Sequence, residues 1–247
     1  MRLYMPRFYV RGLADNLAAM ERDAEDAASL NCDCVVFPEQ FLTGYYGEGE
    51  PSQLRGEFER VSKRHSGTLF IFGTISEDGV NRLCVYFGGS ELAHYDKVHL
   101  FLPGGEDKLW QCGDRYVAIA HGKWRIGLAM CNDVRFPEQA RALKLKHDIN
   151  LLLYPALWPW QRDDIWATLL RARSIENGCY TVGCCVAGVD NGSQRFDGAG
   201  NHVFDPLGYP VCGAERVYEL DAARLNEVLV DTRAQHCEIS QVDWEGL

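Results

Sequence analysis

Apolar and acidic positions recur with a helical period over residues 13–30, LADNLAAMERDAEDAASL. Leu13, Leu17, Met20, Ala24, Ala27 and Ala28 share one stripe and the acids lie opposite, which predicts an amphipathic helix. The next run, CDCVVFPE at 32–39, is short and apolar up to its proline, and predicts a buried strand that stops at Glu39. A second amphipathic helix is expected over 52–65. TLFIFGTIS (68–76) and RLCVYFGGSELAHYDK (82–97) read as strands with glycine turns. YVAIAHGKWRIGLAMC (116–131) has the pattern of a hairpin that turns near His121-Gly122-Lys123. Pro137 and the residues after it carry a helix away from Cys131, and INLLLYPA (149–156) is a strand. DDIWATLLRARSIENG (163–178) predicts a helix with Asp163 as its cap and Gly178 as its stop. YTVGCCVAGV and HVFDPLGYPV supply the last strands, and the tail from Glu219 is acidic and weakly patterned.

Helices and strands thus alternate to about residue 190, and many strands are apolar on both faces. Such strands are covered on both sides, so the expectation is a layered α/β fold in one domain spanning 1–247.

Composition narrows the partners. The formal net charge is −10, which argues against a duplex nucleic acid ligand and against a polybasic membrane contact. The stretch MRLYMPRFYVRG has no apolar signal-peptide core, and no run is long enough to span a bilayer, so a cytoplasmic protein is expected. Ten cysteines in that compartment read as reduced thiols, most of them small buried residues. The tightest pairs are Cys32 with Cys34 and Cys184 with Cys185. Neither Cys-x-x-Cys nor His-Glu-x-x-His occurs, so no metal site is expected.

Three reactive side chains stand at three strand ends: Glu39, Lys97 and Cys131. In layered α/β proteins strand ends converge on a cleft where ligands bind. There a thiol can attack a carbonyl, a carboxylate can shuttle its proton and an ammonium can stabilise the oxyanion. Cys131 at a helix entry is expected to have its thiolate favoured by backbone N–H groups, the helix dipole and Lys97. Each residue alone also has a structural reading: a packed cysteine, a helix-capping glutamate, a solvated turn lysine.

The segments FPEQFLTGY (37–45), YDKVHLF (95–101) and GLAMCNDVRFPE (127–138) together resemble the signature of the nitrilase superfamily of carbon–nitrogen hydrolases. PGGEDKLWQCGD (103–114) resembles the loop with that family's second glutamate, at Glu106. WATLLRARSIENGCYTV (166–182) resembles its long helix and following strand. The similarity runs from about Leu13 to Pro210. It implies a four-layer αββα sandwich that pairs as a homodimer through its outer helices, acts on a small-molecule amide and needs no cofactor. It also implies roles: Glu39 as general base, Lys97 as oxyanion-stabilising cation, Cys131 as nucleophile, the backbone N–H of Asn132 as second oxyanion donor, and Glu106 as a positioning carboxylate.

Nitrilases in the narrow sense follow the nucleophile with Trp-Glu, whereas Asn132-Asp133 follows here, which favours an amidase over a nitrile hydrolase. Asn-Asp-x-Arg is similar to N-carbamoyl-amino-acid hydrolases. HLF with the Gly-Gly-Glu loop and RARSIEN is closer to ω-amidases acting on 2-oxo-dicarboxylic acid monoamides. Both groups take carboxylate-bearing substrates, which a guanidinium at Arg135 can grip; alternatively Arg135 pairs with Glu138 or Asp133. Trp158 and Trp160 either wall the pocket or serve as core and dimer contacts, and Tyr45 is a candidate for the entrance. Three places depart from the family pattern: the opening RLYMPRFYV, Cys184-Cys185-Val186, and Asn201. An acyltransferase and a catalytically silent binding subunit remain alternatives on the same fold.

Overall fold

Alternation within the strands decides the layering. In β3 (Cys34–Val36) the side chains of Cys34 and Val36 enter one core, while Val35 and the following Phe37 enter another. In β4 (Leu69–Glu77) Leu69 and Ile71 go one way, Phe70 and Phe72 the other. Neither face meets water, the condition expected of strands that are apolar throughout. The computed structural model describes residues 1–45, 49–192, 194–214 and 216–228.

Six strands form the first sheet. β1 (Arg2–Tyr4) pairs parallel with β3 and antiparallel with β14 (Val217–Glu219), and β3 pairs parallel with β4. β4, β5 (Val80–Phe87) and β6 (Ser90–Asp96) then continue as an antiparallel meander. The second sheet runs β13 (His202–Phe204), β10 (Tyr180–Cys185), β9 (Leu151–Ala156), β8 (Trp124–Leu128), β7 (Val117–His121), with β8, β9 and β10 parallel. Leu3, Val36, Ile71 and Val85 of the first sheet share a core with Ile126, Leu128, Leu153 and Val182 of the second. The two sheets therefore lie face to face.

Helices cover the outer faces. α1 (Leu13–Ser29) buries Met20, Ala24 and Ala27, and α2 (Pro51–Arg64) buries Leu54, Phe58 and Val61. The Phe58 ring stacks on Phe72 at 4.1 Å between centres. On the second sheet α3 (Pro137–His147) contributes Ala140 and Leu143, and α4 (Asp163–Asn177) contributes Trp166 and Leu170. The result is the expected αββα sandwich. Among the described residues no helix is long and apolar enough to cross a membrane.

Two local expectations change. Asp163 is the first residue of α4 and not its cap; its Oδ1 instead accepts from the Gly200 N–H at 2.7 Å and lies 2.8 Å from His202 Nε2. Gly178 does end the helix, at a left-handed φ of 57°. The opening stretch forms two short strands in different sheets, because Pro6 has no N–H to continue a ladder. After β1 the chain crosses to β2 (Tyr9–Val10), which pairs parallel with β11 (Gly188–Asp190); β12 (Arg195–Asp197) completes that small sheet. Asn201 ties the crossing together, accepting from the Cys185 N–H at 2.8 Å and donating to the Pro6 carbonyl at 3.2 Å. Cys184 points between the large sheets, its thiol 3.1 Å from the Val36 carbonyl. All nine described cysteines are free thiols, and only Cys112 and Cys212 are exposed. Cys237 and most of the acidic tail lie outside the described residues.

Candidate active site

Glu39 sits three residues beyond β3, Lys97 directly beyond β6 and Cys131 three residues beyond β8. Glu106 opens a short 3-10 turn, Glu106–Lys108. Two glycines let these chain ends come close. A Cβ at Gly73 would stand 1.6 Å from the Pro38 carbonyl oxygen, and one at Gly113 would stand 2.2 Å from that of Asp96. Glycine is thus required beside the residues that precede Glu39 and Lys97.

The charged groups meet in the interior. Lys97 Nζ donates to Glu39 Oε1 at 2.7 Å and to Glu106 Oε1 at 2.9 Å, and all three side chains are fully buried. Buried charges persist only when they are paired and hydrogen-bonded, and these are. Glu39 Oε1 also accepts from Asn81 Nδ2 at 3.0 Å, and its Oε2 from the Leu157 N–H at 3.0 Å. Glu106 accepts from the Tyr45 hydroxyl at 2.9 Å and, through Oε2, from the Phe101 N–H at 2.7 Å. The Cys131 thiol donates to the Leu157 carbonyl at 3.9 Å, in the same residue whose N–H donates to Glu39.

The electrostatics differ from the sequence expectation at one residue. Burial, then the Glu39 carboxylate, pushes the Cys131 thiol well above the ordinary range, and Lys97 only partly offsets this. The segment Cys131–Arg135 is a single 3-10 turn, too short for the dipole of a full helix to dominate. These surroundings therefore favour the thiol form of Cys131, where the thiolate was expected to be favoured. Burial also raises the Glu39 carboxyl, with Glu106 adding to the rise and Lys97 opposing it. At Lys97 burial works against the charge, but Glu39, Cys131 and Glu106 together hold the ammonium above its ordinary range. The arrangement at rest is a fixed cation, a carboxylate base with raised affinity for a proton, and a thiol that can supply one.

Cys131 has a left-handed φ of 42°, unusual for a residue with a side chain. Asp133 holds that turn. Its Oδ2 accepts from the Met130 N–H at 2.9 Å and the Tyr95 hydroxyl at 2.8 Å; its Oδ1 accepts from the His99 N–H at 3.1 Å and lies 2.7 Å from His99 Nδ1. Asn132 Nδ2 donates to the carbonyls of His99 and Leu100 at 3.2 and 3.1 Å. The strand exit that carries Lys97 is thereby locked to the turn that carries Cys131. The Asn132 side chain is committed to this lock, which leaves its backbone N–H, in the first turn of a short helix, without a partner inside that turn.

A family model described as carbon–nitrogen hydrolase matches residues 5–226. The chain belongs to the carbon–nitrogen hydrolase family. It is 32% identical over 220 residues to Omega-amidase YafV of Escherichia coli (strain K12), covering 86% of this chain and 83% of that protein. It is 34% identical over 225 residues to a deaminated glutathione amidase of Synechocystis sp. (strain PCC 6803 / GT-S), covering 87% and 78%. Among solved structures it resembles XC1258 of Xanthomonas campestris, a CN-hydrolase superfamily protein with an arsenic adduct in its active site. That likeness has a TM-score of 0.79 and 28% identity, over 92% of each chain. The resemblance to the nitrilase superfamily, and the fold it implied, stand.

Around the mouth of this carbon–nitrogen hydrolase site, the remaining candidates separate. Tyr45 reaches the interior, with its hydroxyl on Glu106 and its ring edge-on to Trp110 at 5.6 Å. Trp158 is buried and stacks on Trp166 at 5.2 Å, whereas Trp160 is exposed. Arg135 pairs with neither Glu138 nor Asp133; its guanidinium lies over the Trp158 ring, 4.9 Å from the centre. Asn81, Asp133 and the Leu157 N–H escaped the sequence reading. Asp133 had one legible signal, an acid two residues into a turn, where carboxylates accept backbone N–H groups. Asn81 and Leu157 had none, since their partner Glu39 lies 42 and 118 residues away. Among the described residues no group of three or more His, Cys, Asp or Glu is placed to hold a metal ion.

Proposed function

We propose that this chain hydrolyses a small, carboxylate-bearing amide in the manner of an ω-amidase, through a thioester on Cys131. The observation that carries the reading is the sealed Glu39–Lys97–Glu106 cluster, tied to the Cys131 thiol through Leu157, which donates to Glu39 and accepts from Sγ. Glu39 takes the Sγ proton as sulfur bonds to the amide carbon, and the carbonyl π pair moves onto oxygen. That oxyanion is met by Lys97 Nζ and the Asn132 N–H. Collapse breaks the C–N bond, the proton on Glu39 goes to the leaving nitrogen, and ammonia departs. Water then gives a proton to Glu39 and attacks the thioester carbon; the C–S bond breaks, and the proton returns to sulfur. Glu106 holds Lys97 in place throughout. A thiol that gives up its proton only as it attacks fits the raised pKa values of Cys131 and Glu39.

Support for a carboxylate on the substrate is the guanidinium of Arg135 over the Trp158 ring, in no ion pair among the described residues, together with the similarity to Omega-amidase YafV. Ammonia release is the test, with 2-oxo ω-amides, N-carbamoyl amino acids, aliphatic amides and nitriles offered in parallel. Release from carboxylate-bearing amides should fall in Cys131→Ala on the order of 10⁶-fold, as for other enzymes stripped of their nucleophile. Equal release by the variant would end the thioester reading. Turnover only with an added amine acceptor would indicate an acyltransferase, and a folded chain silent in every assay a binding subunit. We further propose a homodimer joined through the outer face of α4.

A further inference from the structure

Arg162 stands outside the buried cluster, against the rings of Phe101 and Trp158. It closes the 3-10 turn Trp160–Arg162, between β9 and α4. Its guanidinium carbon lies 5.6 Å from the centre of the Trp158 ring and 5.4 Å from that of Phe101. Those rings sit on the two segments that hold the carboxylates. The Phe101 N–H donates to Glu106. Leu157, the residue before Trp158, donates to Glu39 and turns its carbonyl toward Cys131. Arg135 reaches the same Trp158 ring from the nucleophile turn. Trp158 cannot swing away, because it is stacked on Trp166 and its Nε1–H donates to the Arg162 carbonyl at 3.0 Å.

Among the described residues neither guanidinium is in an ion pair, in a chain of net charge −10. Arg55 and Arg82, by contrast, each share two or more carboxylates. A guanidinium lying over a ring keeps its N–H donors in its own plane, free for an acceptor arriving edge-on. Two such forks beside one ring present two bidentate edges. A carboxylate offers about four lone-pair sites, the number that two bidentate edges fill.

We propose that Arg162 and Arg135 together form a carboxylate subsite at the mouth of the Cys131 site, which selects monoamides of dicarboxylic acids. The subsite rests on the amide-hydrolase reading of Cys131 and adds to it a second specificity-determining residue. The amide end lies at the sulfur and the free carboxylate is gripped from both sides at the Trp158 ring.

The first arm of the test is kinetic, comparing glutaramate with uncharged butyramide in wild type, Arg162→Ala and Arg162→Lys, with melting curves to confirm folding. The ratio of kcat/KM for glutaramate over butyramide should fall at least tenfold in Arg162→Ala, mainly through KM. Arg162→Lys should restore part of it, since the charge returns without the fork. A parallel loss on both amides, or no change in the ratio, would overturn the subsite and leave the hydrolase reading intact. The second arm needs no turnover: glutarate is titrated calorimetrically into Cys131→Ala with and without Arg162→Ala. Binding weakened at least tenfold by the second substitution would uphold the subsite even if the chain hydrolysed none of the amides, and unchanged binding would overturn it. Arg135→Ala and Arg162→Ala should also be non-additive in this titration, as expected for two groups on one carboxylate; strict additivity would place them on separate anions.

Discussion

At the scale of single residues the site depends on Lys97 remaining charged in a place that excludes water. The two carboxylates make this possible, and each alters the other's proton affinity. Glu39 faces Lys97, Glu106 and Cys131, and burial raises its pKa above the ordinary 4.5. A base works only when unprotonated, so activity should fall as pH drops through that raised value. The acid limb of kcat/KM is therefore expected at a pH above 4.5. Lys97 moves in the opposite sense of risk: held above its ordinary 10.5, it does not discharge on the alkaline side of neutrality. A pH profile in which kcat/KM stays level down to pH 4.5 would show that Glu39 is not the base. Glu39, Lys97 and Cys131 were legible from sequence as strand-end residues in three ordered motifs. Their protonation states were not, because those depend on charges brought together from positions far apart in the chain.

Elements set the distances between these residues. β4 passes so close to Pro38 that only glycine fits at position 73, next to an irregularity in its pairing with β5. Gly73→Ala must push the Pro38–Glu39 segment away from Lys97. A displacement near 1 Å at a catalytic group costs about 10²-fold in rate, and overpacking costs about 1–3 kcal/mol. The expected outcome is a folded variant with kcat about 10²-fold lower, checked by rate and chemical denaturation together; wild-type kcat would mean that the strand absorbs the methyl elsewhere. The Cys131 turn is set differently, by the four contacts of Asp133 with Met130, Tyr95 and His99. The hairpin, the helices and the buried strands were all visible in the hydrophobic period. The split of the opening stretch between two sheets was not, since a strand of two or three residues carries too little periodicity to reveal its partner.

On the scale of the whole molecule, the layers leave α4 with Ile165 and Ile175 exposed on its outer side at 44% and 45%. Branched apolar side chains on the far side of a packed helix suit a second copy of the same face. Light scattering should give a mass near twice that of the chain, and Ile165→Asp with Ile175→Asp should reduce it to one copy. A wild-type monomer across micromolar concentrations would rule out the dimer.

What the sequence by itself determined was the set of faces to be buried and the order of the motifs, because helix and strand periods are local and depend only on nearby residues. From these came the layered α/β architecture, the positions of Glu39, Lys97, Glu106 and Cys131 near chain turns, and the resemblance to a family. Tertiary structure alone decided that the surroundings of Cys131 favour its thiol form, that Arg135 and Arg162 share one tryptophan ring, and that Asn81 and Leu157 complete the shell of Glu39. Desolvation and Coulomb interaction act through space, over a few ångströms and without regard to separation along the chain. Only the folded chain assembles those neighbours.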